Sequence, residues 1–146
     1  MKRLLMAYDG SEASNKALEM TMKCASKEDE IIILTVIPGE LVDSSFTNML
    51  LPTIDLSSII KSGSFKEKAM QNLQEVAKKI ESHVAKVDVA VETGDAADEI
   101  LLAAKNHDVD IIIVGYKGYG KEGRFLLGSV ADKVVRHASR SVLVVR

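Results

Sequence analysis

The residues with the clearest chemical meaning are widely spaced glycines in the last third of the chain. Two residues separate Gly115 from Gly118, nine residues separate Gly118 from Gly128, and Gly128 is followed directly by Ser129. Glycine lets the backbone come close to a ligand, and a serine at the start of a helix adds a hydroxyl to backbone N–H donors. Converging donors of this kind bind anions, so the spacing predicts a phosphate-binding loop.

A G-x-G-x-x-G string, from Gly118 to Gly123, lies inside this segment. As a dinucleotide fingerprint it should open a helix after a first strand and be followed about 20 residues later by an acidic residue on the next strand. Here an apolar stretch follows, and only one predicted strand remains. A dinucleotide site is therefore not predicted, and the absence of any G-x-x-x-x-G-K-[ST] sequence excludes a P-loop.

Hydrophobic periodicity predicts the elements that must position these glycines. Runs of β-branched residues and leucine alternate with segments of helical spacing, which is typical of a parallel sheet covered by helices on both faces. Right-handed crossovers leave few ways to wind such a sheet. We therefore predict a single α/β domain with a doubly wound, Rossmann-like, five-stranded parallel sheet, most simply in the order 3-2-1-4-5. The predicted strands are Arg3 to Tyr8, Ile31 to Ile37, Val87 to Val91, Val109 to Val114 and Val142 to Val145.

Helix boundaries are also visible. Asp95 and Ser129 each precede an aspartate by three residues, which resembles a capping box and predicts that each begins a helix. An earlier helix should begin near Ser11 or Ser14. Apolar residues at steps of three and four from Phe65 to Val84 predict a long amphipathic helix.

In this strand order the carboxyl ends of the first and fourth strands lie side by side, where the winding reverses and ligands bind. The residues just past those ends are Asp9 to Ser11 and Gly115 to Gly118. Two independent signals therefore converge on one crevice. Asp9 is predicted as a hydrogen-bond acceptor there, with a turn or helix-capping role as the alternative.

The segment at about 39–63 fits neither period, so the domain spanning residues 1–146 is predicted to carry an insertion between its second strand and second helix. Its apolar content disfavours simple disorder. It is expected to pack on the domain or its crevice, to contact a second copy, or to remain disordered.

Charge and composition exclude several classes of function. The 19 Lys and Arg residues are balanced by 21 Asp and Glu residues, which leaves no basic field for nucleic acid. No window approaches the roughly 18 apolar residues of a membrane span, and the first apolar run is too short for a signal peptide. The single cysteine, Cys24, is expected to be buried on the first helix, which fits a reducing, cytoplasmic location.

Metal-binding and catalytic patterns are absent from the sequence. His83, His107 and His137 have no partner at metal-ligand spacing, so no protein metal site is predicted. There is no Ser-His-Asp order and no paired carboxylates whose spacing requires acid–base chemistry, so catalytic residues remain unknown.

These motifs together resemble the universal stress protein family, in its ATP-binding branch. The resemblance covers the chain apart from the insertion. It is carried by Leu4 to Ser11, Thr35 to Ile37, Gly94 to Asp95 with Ile100, Leu126 to Val134, and Ser141 to Val145. Tyr8, at a position usually small or β-branched, and Ser141, where proline is frequent, depart from the family pattern.

The resemblance implies a bound adenine nucleotide, ATP or else ADP or AMP, with Mg or Mn held through the phosphates. It implies adenine near Ala7, Asp9 and Val36, and ribose and phosphates on Gly115, Gly118, Gly128, Ser129 and Val130. Lys117 and Arg124 are candidates for the terminal phosphates, or are simply solvated.

The function implied is that of a nucleotide-dependent regulatory protein in stress response, which forms a homodimer through the last strand, Val142 to Val145. One alternative is a slow ATPase or phosphotransfer enzyme in which Ser129 or another hydroxyl becomes phosphorylated. Another is a nucleotide-free dimeric scaffold, which the intact glycine and serine pattern disfavours. A receiver-like protein phosphorylated at Asp9 would need an acidic pair after the first strand, which is absent.

Overall fold

The computed structural model describes residues 1–39, 64–117 and 127–146. Strands and helices alternate through these residues. They are β1 (Arg3–Ala7), α1 (Glu12–Cys24), β2 (Glu30–Pro38), α2 (Ser64–Ile80), β3 (Lys86–Gly94), α3 (Ala96–Asn106), β4 (Ile111–Gly115), α4 (Ser129–His137) and β5 (Ser141–Val145). The predicted insertion, apart from its first residue, and the positions of Gly118 and Arg124 lie outside the described residues.

The five strands form one parallel sheet in the order β3-β2-β1-β4-β5, which confirms the predicted fold class. β1 is the central strand and pairs with two neighbours. Leu5 aligns with Ile32 of β2 on one side and with Ile112 of β4 on the other. The carboxyl ends of β1 and β4 are therefore adjacent, as a doubly wound sheet requires.

Both faces of the sheet are covered by helices. Leu4 and Met6 pack on one face beneath α1 and α2, and Leu5 packs on the other beneath α3 and α4. Because successive strand residues point to opposite faces, a strand buried on both must be apolar at every position. This explains why β1 lacks the alternation of a half-exposed strand.

One of the two predicted helix caps, Asp95, is confirmed, and α1 begins where it was expected, with Ser11 as its cap. The Ser11 hydroxyl accepts the N–H of Ser14 at 3.2 Å, and the Asp95 carboxylate accepts the N–H of Asp98 at 3.0 Å. The prediction that Ser129 caps its helix is wrong. Gly128 is the N-cap of α4, with no side-chain cap, and Ser129 is the first helical residue. The extended backbone of Gly128, with ψ of 149°, begins the helix one residue earlier than the aspartate spacing suggested.

The expectation that Cys24 is buried is also wrong, because its side chain is exposed. Cys24 is the last residue of α1, and its carbonyl accepts the ammonium of Lys2, which precedes β1. The end of α1 therefore lies at the amino-terminal margin of the sheet, where little remains to cover a side chain. Among the described residues, no helix is long and apolar enough to cross a bilayer.

Asp29 ties the start of the sheet together. Its side chain is only 1% exposed. Its two oxygens accept the backbone N–H of Lys2 at 2.7 Å and that of Ser26 at 2.8 Å, and the Lys2 ammonium lies 3.2 Å away. Burial raises the pKa of the Asp29 carboxyl, but the hydrogen bonds from Ser26 and Lys2 outweigh burial and hold that pKa well below its ordinary value.

We expect Asp29→Asn to lower the free energy of unfolding at pH 7 by about 2 kcal/mol, because an amide cannot accept at both positions and leaves a buried donor unpaired. Since the folded-state pKa is depressed, the stabilisation is complete above the unfolded-state pKa of about 4 and is lost as the pH falls below it. Urea unfolding should therefore show a smaller difference between wild type and variant at pH 3 than at pH 7.

Asp88→Asn is the matched control, because Asp88 is 48% exposed and pairs with Lys86 at the surface. It should change the free energy of unfolding by less than about 0.5 kcal/mol. Equal effects of the two substitutions would contradict the anchoring role of Asp29.

Candidate functional site

A cavity of about 600 Å³ opens at the carboxyl edge of the sheet, where β1 and β4 end. This cavity, called the crevice below, is lined by the ends of three strands, by the starts of α1, α3 and α4, and by the amino-terminal half of α2. All the predicted site residues that the structure describes line it: Ala7, Asp9, Val36, Gly115, Gly128, Ser129 and Val130. Gly118 lies outside the described residues.

One side of the crevice is built where β1 leaves the sheet. The N–H of Tyr8 donates to the carbonyl of Leu34 at 2.8 Å, and the Thr35 hydroxyl donates to the carbonyl of Tyr8 at 2.6 Å. The chain beyond β1 is thus held against β2. Asp9 and Val36 consequently line the same cavity.

Asp9 serves the turn that follows β1. Its Oδ1 accepts the N–H of Ser11 at 2.9 Å, and Gly10 adopts a φ of 80°, a left-handed conformation that favours glycine. Asp9 therefore has the turn role that the sequence offered as the alternative to ligand binding. Among the described hydrogen bonds none involves its Oδ2, so this oxygen remains an acceptor for a ligand. The two roles of Asp9 are compatible because they use different oxygens.

The opposite side of the crevice is built from β4, β5 and the start of α4. The N–H of Tyr116 donates to the carbonyl of Val145 at 2.7 Å, and the N–H of Gly128 donates to the carbonyl of Tyr116 at 2.9 Å. These two bonds bring the amino terminus of α4 against the end of β4. A helix amino terminus presents backbone N–H donors and a partial positive charge, so this side of the crevice is suited to an anion.

Gly115 has a packing role that the glycine spacing did not reveal. A Cβ at this position would lie 2.9 Å from both the carbonyl carbon and the Cβ of Ala13, in the first turn of α1. Side-chain atoms do not fit at such distances. Gly115 is thus required for the close approach of α1 to β4, whether or not a ligand is present.

Ion pairs fix α4 against α3. The Lys133 ammonium lies 2.9 Å from Asp98 and 3.1 Å from Asp95, the cap of α3. The hydrogen bond from the backbone N–H of Asp98, followed by the one from Lys133, lowers the pKa of the Asp95 carboxyl. The pKa of Lys133 is raised by the same two carboxylates. Since Ala96 of α3 and Ser129 of α4 both line the crevice, these pairs help to set its width.

Sequence reasoning missed several lining residues. Phe65 and Asn72 of α2 line the crevice, as does Tyr116 after β4. Phe65 had been assigned to the buried stripe of its helix, yet its side chain is 42% exposed. An apolar side chain of this size facing a cavity is a signal of a ligand surface, but it is visible only after folding.

The described residues offer little for direct metal binding. Asp9 is the one carboxylate among the described residues that line the crevice. No group of three or more His, Cys, Asp or Glu side chains in residues 1–39, 64–117 and 127–146 is arranged to hold a metal ion.

A doubly wound parallel sheet, with a crevice at its switch point and a helix amino terminus in the wall, defines a flavodoxin-like α/β domain. The universal stress protein family model matches residues 1–146 of this chain. The chain belongs to the universal stress protein family.

A well-matched relative is a universal stress protein of Methanocaldococcus jannaschii. It is 29% identical over 153 residues, which cover 99% of this chain and 94% of the relative. Its solved structure superposes with a TM-score of 0.80 at 30% identity, again covering 99% of this chain and 94% of the other.

Two more distant solved structures share the fold and hold nucleotides. A family member from Arabidopsis thaliana with AMP bound has a TM-score of 0.66 at 17% identity, covering 99% of this chain and 91% of the other. A universal stress protein in complex with cAMP has a TM-score of 0.67 at 18% identity, with coverage of 99% and 96%. At these identities the likeness shows the fold.

We expect Gly115→Ala to lower the free energy of unfolding by about 1–3 kcal/mol without any ligand, because α1 must move away from the added methyl group. Gly39→Ala is the matched control, since among the described residues a Cβ there would meet nothing closer than 3.8 Å. Thermal and urea unfolding measure both variants. A stable Gly115→Ala protein, with α1 undisturbed by amide hydrogen exchange, would contradict the packing role.

Proposed function

We propose that this protein is an ATP-binding universal stress protein that acts as a nucleotide-dependent regulatory module in stress response. The observation that carries the proposal is the meeting, in one crevice, of the Asp9 turn with the amino terminus of α4. A volume of about 600 Å³ falls within the range of roughly 300–1,000 Å³ typical of small-molecule sites. The AMP and cAMP complexes of relatives with this fold support the choice of an adenine nucleotide.

The adenosine is proposed to lie on the β1 and β2 side of the crevice. Ala7 leaves room for a planar base, and Val36 combines an apolar side chain with backbone polar groups. Asp9 Oδ2 is the acceptor proposed for a ribose hydroxyl or the exocyclic amine, since Oδ1 is committed to Ser11. This arrangement leaves the turn after β1 intact when the nucleotide binds.

The phosphates are proposed to lie on the α4 side. Backbone N–H groups of the first turn of α4, at Ser129 and Val130, would donate to phosphate oxygens next to Gly115 and Gly128, with Gly118 as a further part of this cradle. A Mg²⁺ or Mn²⁺ ion would be held through phosphate oxygens and water, because Asp9, on the other side, is the one carboxylate among the described lining residues.

The proposed nucleotide site is tested by denaturing the purified protein and analysing the supernatant for AMP, ADP and ATP. The stripped protein is then melted with and without Mg-ATP. At a ligand concentration 100 times the dissociation constant, the free energy of unfolding should rise by about 2.7 kcal/mol. A folded protein that releases no nucleotide and shows no shift would refute the proposal.

A matched pair of variants locates the site. Asp9→Asn keeps an oxygen for the Ser11 N–H but removes the charge, so it should fold normally and bind ATP roughly tenfold more weakly. Asp108→Asn makes the same change at the opposite end of the sheet, where Asp108 pairs with Arg140, and should leave affinity unchanged. Equal ATP affinities for the two variants would show that Asp9 does not contact the nucleotide.

The protein is further proposed to be a single domain, residues 1–146 with the insertion at about 39–63, that assembles as a homodimer through β5. β5 is an edge of the sheet and pairs with β4 on one side. A second copy related by a twofold axis could pair with its other side and satisfy backbone groups that an edge leaves open. Val142 to Val145 form the proposed contact.

We expect the protein to sediment as a dimer and Val142→Lys to sediment as a monomer, because a lysine on an edge strand opposes pairing with a second strand. Leu102→Lys is the control, since Leu102 is 50% exposed on α3, away from β5. Circular dichroism should show both variants folded. A folded Val142→Lys protein that remains dimeric would place the interface elsewhere.

A further inference from the structure

An aromatic ring in the crevice wall holds two cationic side chains. Tyr116 follows β4 directly and lines the crevice. The guanidinium carbon of Arg146 lies 4.8 Å from the centroid of its ring, and the Lys117 ammonium lies 5.5 Å from the same centroid. Both distances are within the range of about 6 Å for a cation–π contact. Lys117 therefore lines the β4 end of the crevice itself, and Arg146 lies against the ring of a wall residue at that end.

The backbone fixes Arg146 close to the start of α4. Tyr116 donates its N–H to Val145, the residue before Arg146, and accepts the N–H of Gly128, the cap of α4. One residue thus joins the end of β5 to the proposed phosphate donors. The position of Arg146 follows from these two backbone bonds as well as from its contact with the ring.

Arg146 differs from its neighbouring arginines in its partners. Arg140, at the other end of β5, pairs with Asp108 at 2.6 Å, and Arg136 pairs with Asp132 at 2.9 Å. Among the described residues, no ion pair involves Arg146. A guanidinium keeps its charge at any physiological pH, and its planar fork matches the oxygens of a phosphate.

The charges give the crevice a direction. Asp9 places a negative charge at its β1 end, whereas Lys117 lines its β4 end. Arg146, which is not among the described lining residues, adds a second positive charge against the Tyr116 ring there. A nucleotide with its ribose near Asp9 would extend its phosphate chain toward the cations. Each further phosphate of the chain would add negative charge and lie closer to Arg146 than the phosphate before it.

We propose that Arg146 is a specificity-determining residue that contacts the outer phosphates of a bound nucleoside polyphosphate and makes the site prefer ATP and ADP over AMP. This inference rests on the proposed nucleotide site. The α4 donors serve the phosphate that all three nucleotides share. The Arg146 guanidinium, already held against Tyr116 in the absence of ligand, contacts only the outer phosphates, which AMP lacks.

The test is calorimetric titration of AMP, ADP, ATP and inorganic tripolyphosphate into wild type, Arg146→Gln and Arg140→Gln. Arg146→Gln should weaken ATP binding roughly tenfold, the loss of one charge-assisted contact, and leave AMP within about twofold. Tripolyphosphate should bind to the wild type and be weakened by a similar factor in the same variant. Arg140→Gln removes the same charge from the far end of β5 and should match the wild type for all four ligands.

The outcomes separate this inference from the proposed function. If wild type binds ATP and Arg146→Gln binds it equally well, or loses AMP and ATP by the same factor, the role of Arg146 is refuted while the nucleotide site stands. If wild type binds tripolyphosphate through Arg146 but binds no nucleotide, the adenosine side is refuted while the phosphate contact stands. If wild type binds neither, both are refuted.

Discussion

The parallel pairing of β1 with both β2 and β4 is the constraint on which the rest of the structure depends. Because β1 is central, the two registers fix where its neighbours end, and the chain must leave all three strands at one edge. The turn at Asp9 and the glycine at position 115 meet for this reason. Strands that are apolar throughout make the pairing possible, since a sheet covered on both faces tolerates few polar side chains.

The site is a product of helix ends as much as of strand ends. The starts of α1 and α4 lie on opposite faces of the sheet and approach the same gap, and α4 is held in place from two directions. The carbonyl of Tyr116 holds its N-cap, Gly128, and Lys133 ties its next turn to the cap of α3. An anion site made from a helix terminus requires such support, because misplaced N–H donors cannot converge on one ligand.

Much of the fold was predictable from the sequence because it depends on local periodicity. The strands, the start of α1 near Ser11, the cap at Asp95 and the sheet order follow from spacing and from the handedness of crossovers. The errors arose where local and tertiary signals compete. The aspartate three residues after Ser129 gave the spacing of a capping box, although Gly128 is the cap. Cys24 has the apolar spacing of a buried helix position, but it is exposed because α1 ends at the margin of the sheet.

The candidate site was predictable only in part, for a different reason. Glycine spacing located one side, but it could not distinguish a glycine that admits a ligand from one that admits another helix, as at Gly115. The stacking of Arg146 on Tyr116 joins residues that are far apart in sequence. Hydrophobic periodicity in the sequence cannot predict such a contact, because the contact depends on β4 and β5 lying side by side in the sheet.

The contact between Gly115 and Ala13 also restricts how this binding site can evolve. At that point the main chain at Gly115 packs on the main chain and the methyl group of Ala13, so there is no room for a side chain at position 115. New ligand preferences must therefore arise at the rim, from residues such as Phe65 and Tyr116, whose side chains can change without separating α1 from the sheet.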